Sequence, residues 1–126
     1  MNNDQKKRFA IKARARSFRY AFRGLMLVFL HQHNFRIHVT AALAAILLGI
    51  IFKISSTEWM FIIAAIGLVF TAETFNTAIE EMTDLVSPQQ NNKAGNIKDI
   101  AAGAVLLAAF TALAIGLVIF IPKLFS

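Results

Sequence analysis

The chain has 126 residues, 57% of them hydrophobic, with mean hydropathy +0.60 and no cysteine. That balance fits one small integral membrane domain over residues 1–126 and excludes a soluble core, a disulfide framework and thiolate chemistry. The net charge of +6 is uneven, with nine of the 13 Lys and Arg in the first 36 positions. In so apolar a chain, a basic front end points to anionic lipid headgroups and away from nucleic acid.

Residues 1–10 are polar and are expected to fray. From 11 to 30 the pattern becomes helical. Ile11, Ala15, Phe18, Phe22, Leu25 and Phe29 make an apolar stripe beside a basic one of Lys12, Arg16, Arg19 and Arg23. This is the pattern of an amphipathic helix lying in the membrane interface. No short apolar core with a small-residue cleavage site follows, so the front end does not read as a cleavable signal peptide. Residues 31–38, HQHNFRIH, interrupt the apolar pattern and predict a helix junction. The spacing of His31, His33 and His38 does not suit a closed zinc site, which leaves them as interfacial polar residues. Arg36 suits bidentate contact with a phosphate at the membrane edge.

Three membrane helices are predicted, over 35–54, 58–85 and 99–121. The first ends at Lys53, which can snorkel. A tight turn follows, where Ser56 or Thr57 would cap the second helix. Ser87-Pro88 ends that helix, and residues 87–97 form a polar loop rich in turn formers. Small residues in the third segment (Ala101, Ala102, Gly103, Ala104, Ala108, Ala109) permit close helix packing, and Pro122-Lys123 closes it. The basic N-terminal region, Lys93 and Lys98 fall on one side, which is predicted to be cytoplasmic, and Lys53 and Lys123 on the other.

The most informative stretch is 72–84, AETFNTAIEEMTD, which continues the apolar run 59–71. Glu73, Asn76, Glu80 and Asp84 fall within roughly an 80° arc of one helical face. Carboxylates at a bilayer edge mark ion pathways, proton relays or metal sites, and oxygen ligands suit Mg²⁺. Together with Arg36 and the pair Lys98-Asp99, they supply the parts needed for phosphoryl transfer. A helix end simply standing in water accounts for Glu81 and Asp84 but not for Glu73. No glycine-rich phosphate loop accompanies them.

The run AETFNTAIEEMTD followed by NIKDIAAGAVL, with FRGL near the start and NFRIH before the first span, resembles the prokaryotic diacylglycerol kinase family, which includes undecaprenol kinases. The resemblance covers nearly the whole chain. It implies an all-α homotrimer of protomers with three transmembrane helices and a surface helix. It also implies a bacterial inner-membrane location, active sites at the cytoplasmic edge, and transfer of the γ-phosphate of Mg·ATP to a lipid alcohol, diacylglycerol or undecaprenol. By the same resemblance Glu73 is the catalytic base and Asn76 positions the substrates. Glu80 binds metal and contacts the nucleotide. Gln89, Gln90, Asn91, Lys98 and Asp99 contact the nucleotide, while Tyr20, Arg23 and Gly24 fall in the surface-helix region that touches lipid or nucleotide. Gln32 stands where the family usually has a second metal-binding glutamate, so it would keep an oxygen ligand and lose the charge. Two rival classes are a small proton-coupled transporter, which would place a lone glutamate at mid-bilayer, and a non-enzymatic membrane subunit, which needs no acidic stripe.

Overall fold

The computed structural model describes residues 1–126 as four α-helices: α1 (Asn3–His31), α2 (His33–Ile51), α3 (Ser56–Val86) and α4 (Asn92–Leu124). The chain divides into two compact units, Met1–His33 and Asn34–Ser126. α2, α3 and α4 are each long and apolar enough to cross a membrane.

In the first unit, helix begins at Asn3, so the expected fraying of residues 1–10 is corrected. The reason is local. Asn2 accepts a hydrogen bond from the Gln5 amide while the Gln5 side chain accepts from the Asn2 amide. This reciprocal cap satisfies two otherwise orphaned donors, and Asp4 in the first turn complements the helix dipole. The basic and apolar stripes therefore lie on one 29-residue helix, about 44 Å long. Phe9, Ile11, Phe18, Tyr20 and Phe22 are exposed on it. The junction falls at Gln32, which leaves helical geometry as the C-cap of α1, its N–H bonded to the Val28 carbonyl.

In the second unit, α2 turns Phe35, His38, Ala42, Ala45 and Gly49 inward, at alternating steps of three and four. It ends in a left-handed residue, Lys53 at φ 51°. The Ile54 amide bonds to the Gly49 carbonyl at 3.1 Å and the Lys53 amide to Ile50 at 3.3 Å, the paired closure usually made with glycine. The side chain of Trp59 packs over Gly49, where a Cβ would meet it at 2.7 Å. Ser55, not Ser56 or Thr57, caps α3, and it shares a reciprocal cap with Glu58. The Glu58 carboxylate also pairs with Lys123 at 2.9 Å, fastening the start of α3 to the end of α4. Beside that clip Ile54, Ile62, Ile119 and Phe120 form the apolar core, with Phe52 tilted against Phe120.

α3 has 31 residues, about 46 Å, so it exceeds the ~30 Å hydrocarbon layer. The Ser87 amide bonds to Thr83 at its end. The polar loop is shorter than the sequence pattern suggests. Asn91 caps α4 by accepting from the Ala94 amide at 2.8 Å, and its side-chain amide donates to the Ser87 hydroxyl. α4 therefore opens at Asn92 and not at 99. It runs past Pro122 to Leu124, where the missing amide falls in the last turn and does not break the helix. Its inward seam is Ala94, Lys98, Ala101, Val105, Ala108, Ala112, Ile115 and Ile119, again at steps of four and three. Such a seam keeps one face of α4 against α3 over its length, and its small residues allow close approach.

Candidate active site

The seam of α3 changes chemistry along its length. Ile62, Ala65 and Val69 are buried first, and then the same face buries Glu73. Glu73 is only 3% exposed. A carboxylate placed there is unfavourable unless it is paired or hydrogen-bonded. The partner is His38 of α2, whose Nε2 lies 3.2 Å from the Glu73 Oε1. Phe35 and Phe70, with ring centroids 5.1 Å apart, pack the same two helices together nearby. The threonine hydroxyls on this part of α3 are satisfied within the helix: Thr77 donates to the Glu73 carbonyl and Thr74 to the Phe70 carbonyl. Neither draws on the Glu73 carboxylate.

One turn further on, the Asn76 side-chain amide donates to the Glu80 carboxylate at 3.3 Å. The other end of that side chain, Asn76 Oδ1, is buried without a hydrogen-bond partner. Buried polar atoms are almost always satisfied, so an orphan acceptor beside a carboxylate suits an incoming cation or hydroxyl donor. No three His, Cys, Asp or Glu side chains gather into a metal cluster. Mg²⁺ does not require one, because it takes one or two carboxylates and completes its shell with water and phosphate oxygens. Glu80 with Asn76 Oδ1 fits that pattern.

Asp84, the last acid of the stripe, pairs with Lys98 of α4. The pair sits in the wall of a polar cleft of about 630 Å³, which also takes in Gln89, Gln90, Asn91 and Asp99. Six residues spread over 15 positions are thus gathered by the α3–α4 turn. An apolar groove of about 500 Å³ runs between α2, α3 and α4, lined by His38, Ala42, Ala45, Ile66, Phe70, Gly116 and others. Arg36 is exposed on α2. Tyr20, Arg23 and Gly24 lie on α1, and Gln32 caps it, all in the first unit. His31 is accounted for locally, its Nδ1 bonding to the Leu27 carbonyl.

His38 is the residue that sequence reasoning passed over. Grouped with its neighbours as an interfacial histidine, it instead meets the most buried acid of the chain. The signal was present, since it falls three after Phe35 and four before Ala42, on the inward face of α2.

The sequence profile of the family described as prokaryotic diacylglycerol kinase matches residues 19–120. An undecaprenol kinase of Bacillus subtilis (strain 168) is 41% identical over 109 residues, covering 86% of this chain and 89% of that protein. A diacylglycerol kinase of Synechocystis is 38% identical over 111 residues, covering 87% of this chain and 63% of that protein. The diacylglycerol kinase of Escherichia coli (strain K12) is 27% identical over 93 residues, 74% of this chain and 76% of the relative.

Proposed function

Because the chain belongs to the prokaryotic diacylglycerol kinase family, and is thus an integral membrane lipid kinase that uses ATP, we propose that it phosphorylates undecaprenol at the cytoplasmic face of a bacterial inner membrane, as a homotrimer. The acceptor is favoured by the NFRIH and KDIAAGAVL runs and by the likeness to an undecaprenol kinase. The placement follows the asymmetry of Lys and Arg, with α1 lying in the interface.

The observation that carries the catalytic assignment is Glu73, a carboxylate 3% exposed on a helix face that is otherwise apolar up to that point. Glu73 takes the proton of the lipid hydroxyl as that oxygen attacks the γ-phosphorus of ATP, and ADP leaves. Asn76 holds the reacting groups in register. Glu80 with the orphan oxygen of Asn76 would hold Mg²⁺, which when bound offsets the negative charge of the phosphates. Lys98 binds phosphate oxygens, and Gln89, Gln90, Asn91 and Asp99, which share its cleft, hold the rest of the nucleotide. The groove that opens at His38 gives the apolar chain of the substrate a path beside Glu73. Arg36, Tyr20, Arg23 and Gly24 serve the membrane side, where headgroup and phosphate meet.

The test is transfer of labelled γ-phosphate from ATP in detergent–lipid micelles, comparing undecaprenol with diacylglycerol and wild type with Glu73→Ala. Transfer favouring undecaprenol, lost in Glu73→Ala, is expected. Preference for diacylglycerol refutes the acceptor assignment, and an active Glu73→Ala refutes the base.

A further inference from the structure

We propose that His38 is a positioning residue for the kinase reaction, holding the Glu73 carboxylate in the orientation from which it receives the lipid proton. The inference rests on the reading of Glu73 as the base. Its warrant is geometric. Glu73 Oε1 meets His38 Nε2 at 3.2 Å, the one side-chain polar contact of that carboxylate. One oxygen thereby lies against the imidazole nitrogen, which leaves Oε2 for the hydroxyl of the acceptor. A carboxylate on a flexible two-carbon stem, if unheld, would spread over several rotamers in an apolar face, and few would aim at the acceptor.

The surroundings set the direction of that control. His38 is carried on α2 and Glu73 on α3, so the pair crosses between helices and reports their register. His38 is 22% exposed where Glu73 is 3%, and it lines the apolar groove together with Ala42, Ala45 and Phe70. The imidazole therefore touches both the groove and the carboxylate. An alcohol at the end of an apolar chain in that groove would arrive at this junction. The arrangement parallels the general pattern in which a proton acceptor is oriented by a fixed hydrogen-bonding partner.

The alternative role is purely structural, with His38 there only to make the burial of Glu73 tolerable. The two roles part in kinetics. His38→Ala removes the donor, whereas His38→Gln keeps an N–H donor of similar reach. Both would be purified in detergent micelles beside wild type and Glu73→Ala, with the thermal unfolding midpoint measured for each. kcat and KM for ATP and for the lipid alcohol would then be determined. We expect kcat of His38→Ala to fall roughly 10- to 100-fold, the loss expected for a hydrogen bond to a charged group. KM for ATP stays within two-fold, and His38→Gln recovers most of the rate. The proposal is overturned if folded His38→Ala keeps kcat within two-fold of wild type. It is also overturned if His38→Gln, folded, is as impaired as the alanine variant, or if the loss lies wholly in KM. Should His38→Ala fail to fold, the glutamine variant decides alone, a rate near wild type supporting the proposal and a large loss refuting it. An inert Glu73→Ala beside a fully active His38→Ala removes His38 and leaves the base assignment standing. An active Glu73→Ala removes both.

Discussion

Asn76→Leu separates a polar face kept for substrate from one kept for the fold. Leucine is nearly isosteric with asparagine, so the change removes polarity with little change of volume. In wild type the Asn76 amide makes one long bond, 3.3 Å, to Glu80, and its Oδ1 is buried with no partner. The lost bond runs to a carboxylate and, at the weak end for its type, contributes about 1.5 kcal/mol, whereas relieving an orphan buried acceptor recovers about 1–3 kcal/mol. Glu80 is only partly buried, so water can replace the lost donor. Leucine is also the better helix former by a few tenths of a kcal/mol. The sum is a change between neutral and a gain in stability of about 2 kcal/mol. Activity should move the opposite way. If Asn76 positions the reacting groups, losing it lowers kcat by about 100-fold, equivalent to about 2.7 kcal/mol of transition-state stabilisation. Reversible unfolding in mixed micelles gives the first quantity, and labelled phosphate transfer from ATP gives the second. A variant that is destabilised, or one that is stabilised and fully active, refutes the reasoning, because the orphan oxygen would then serve the fold or serve nothing.

Two further outcomes are expected. If Gln32 stands at the metal position that the family resemblance implies, Gln32→Glu adds a charge there and should lower the Mg²⁺ concentration needed for half-maximal rate; an unchanged Mg²⁺ titration refutes a metal role for Gln32. Gly49→Ala puts a Cβ 2.7 Å from the Trp59 ring, so unfolding measurements should show a loss of about 1–3 kcal/mol from overpacking. Trp59→Phe in the same chain should offset part of that loss, seen as coupling in a double-mutant cycle. kcat should stay near wild type, since the contact lies at the opposite end of α3 from the acidic face.

The stripe Glu73–Asn76–Glu80–Asp84 could be read without a structure because its members share one helix, and a fixed 100° step places them on one face whatever surrounds it. The same holds for the loop cluster, where Lys98-Asp99 and residues 89–91 are close enough in sequence for one turn to gather them. Helix starts were less legible. The caps at Asn2, Ser55 and Asn91 each depend on one side chain reaching forward to the amide three residues ahead. Several neighbouring Ser, Thr and Asn residues offer the same chemistry, so the boundaries at 11, 58 and 99 moved to 3, 56 and 92.

What the sequence by itself determined, then, is the set of apolar helices, their order, the membrane-length spans and the polar face of α3, because each depends only on local periodicity and composition. The tertiary structure decided which faces meet. It put His38 of α2 against Glu73 of α3 across 35 residues of chain, brought Lys98 onto Asp84, and fastened Glu58 to Lys123 at the other end. Each of these contacts joins ionisable side chains on different helices. Their partner choice follows from which apolar seams pack together and in what register, a property of the whole packed unit that no single helix carries.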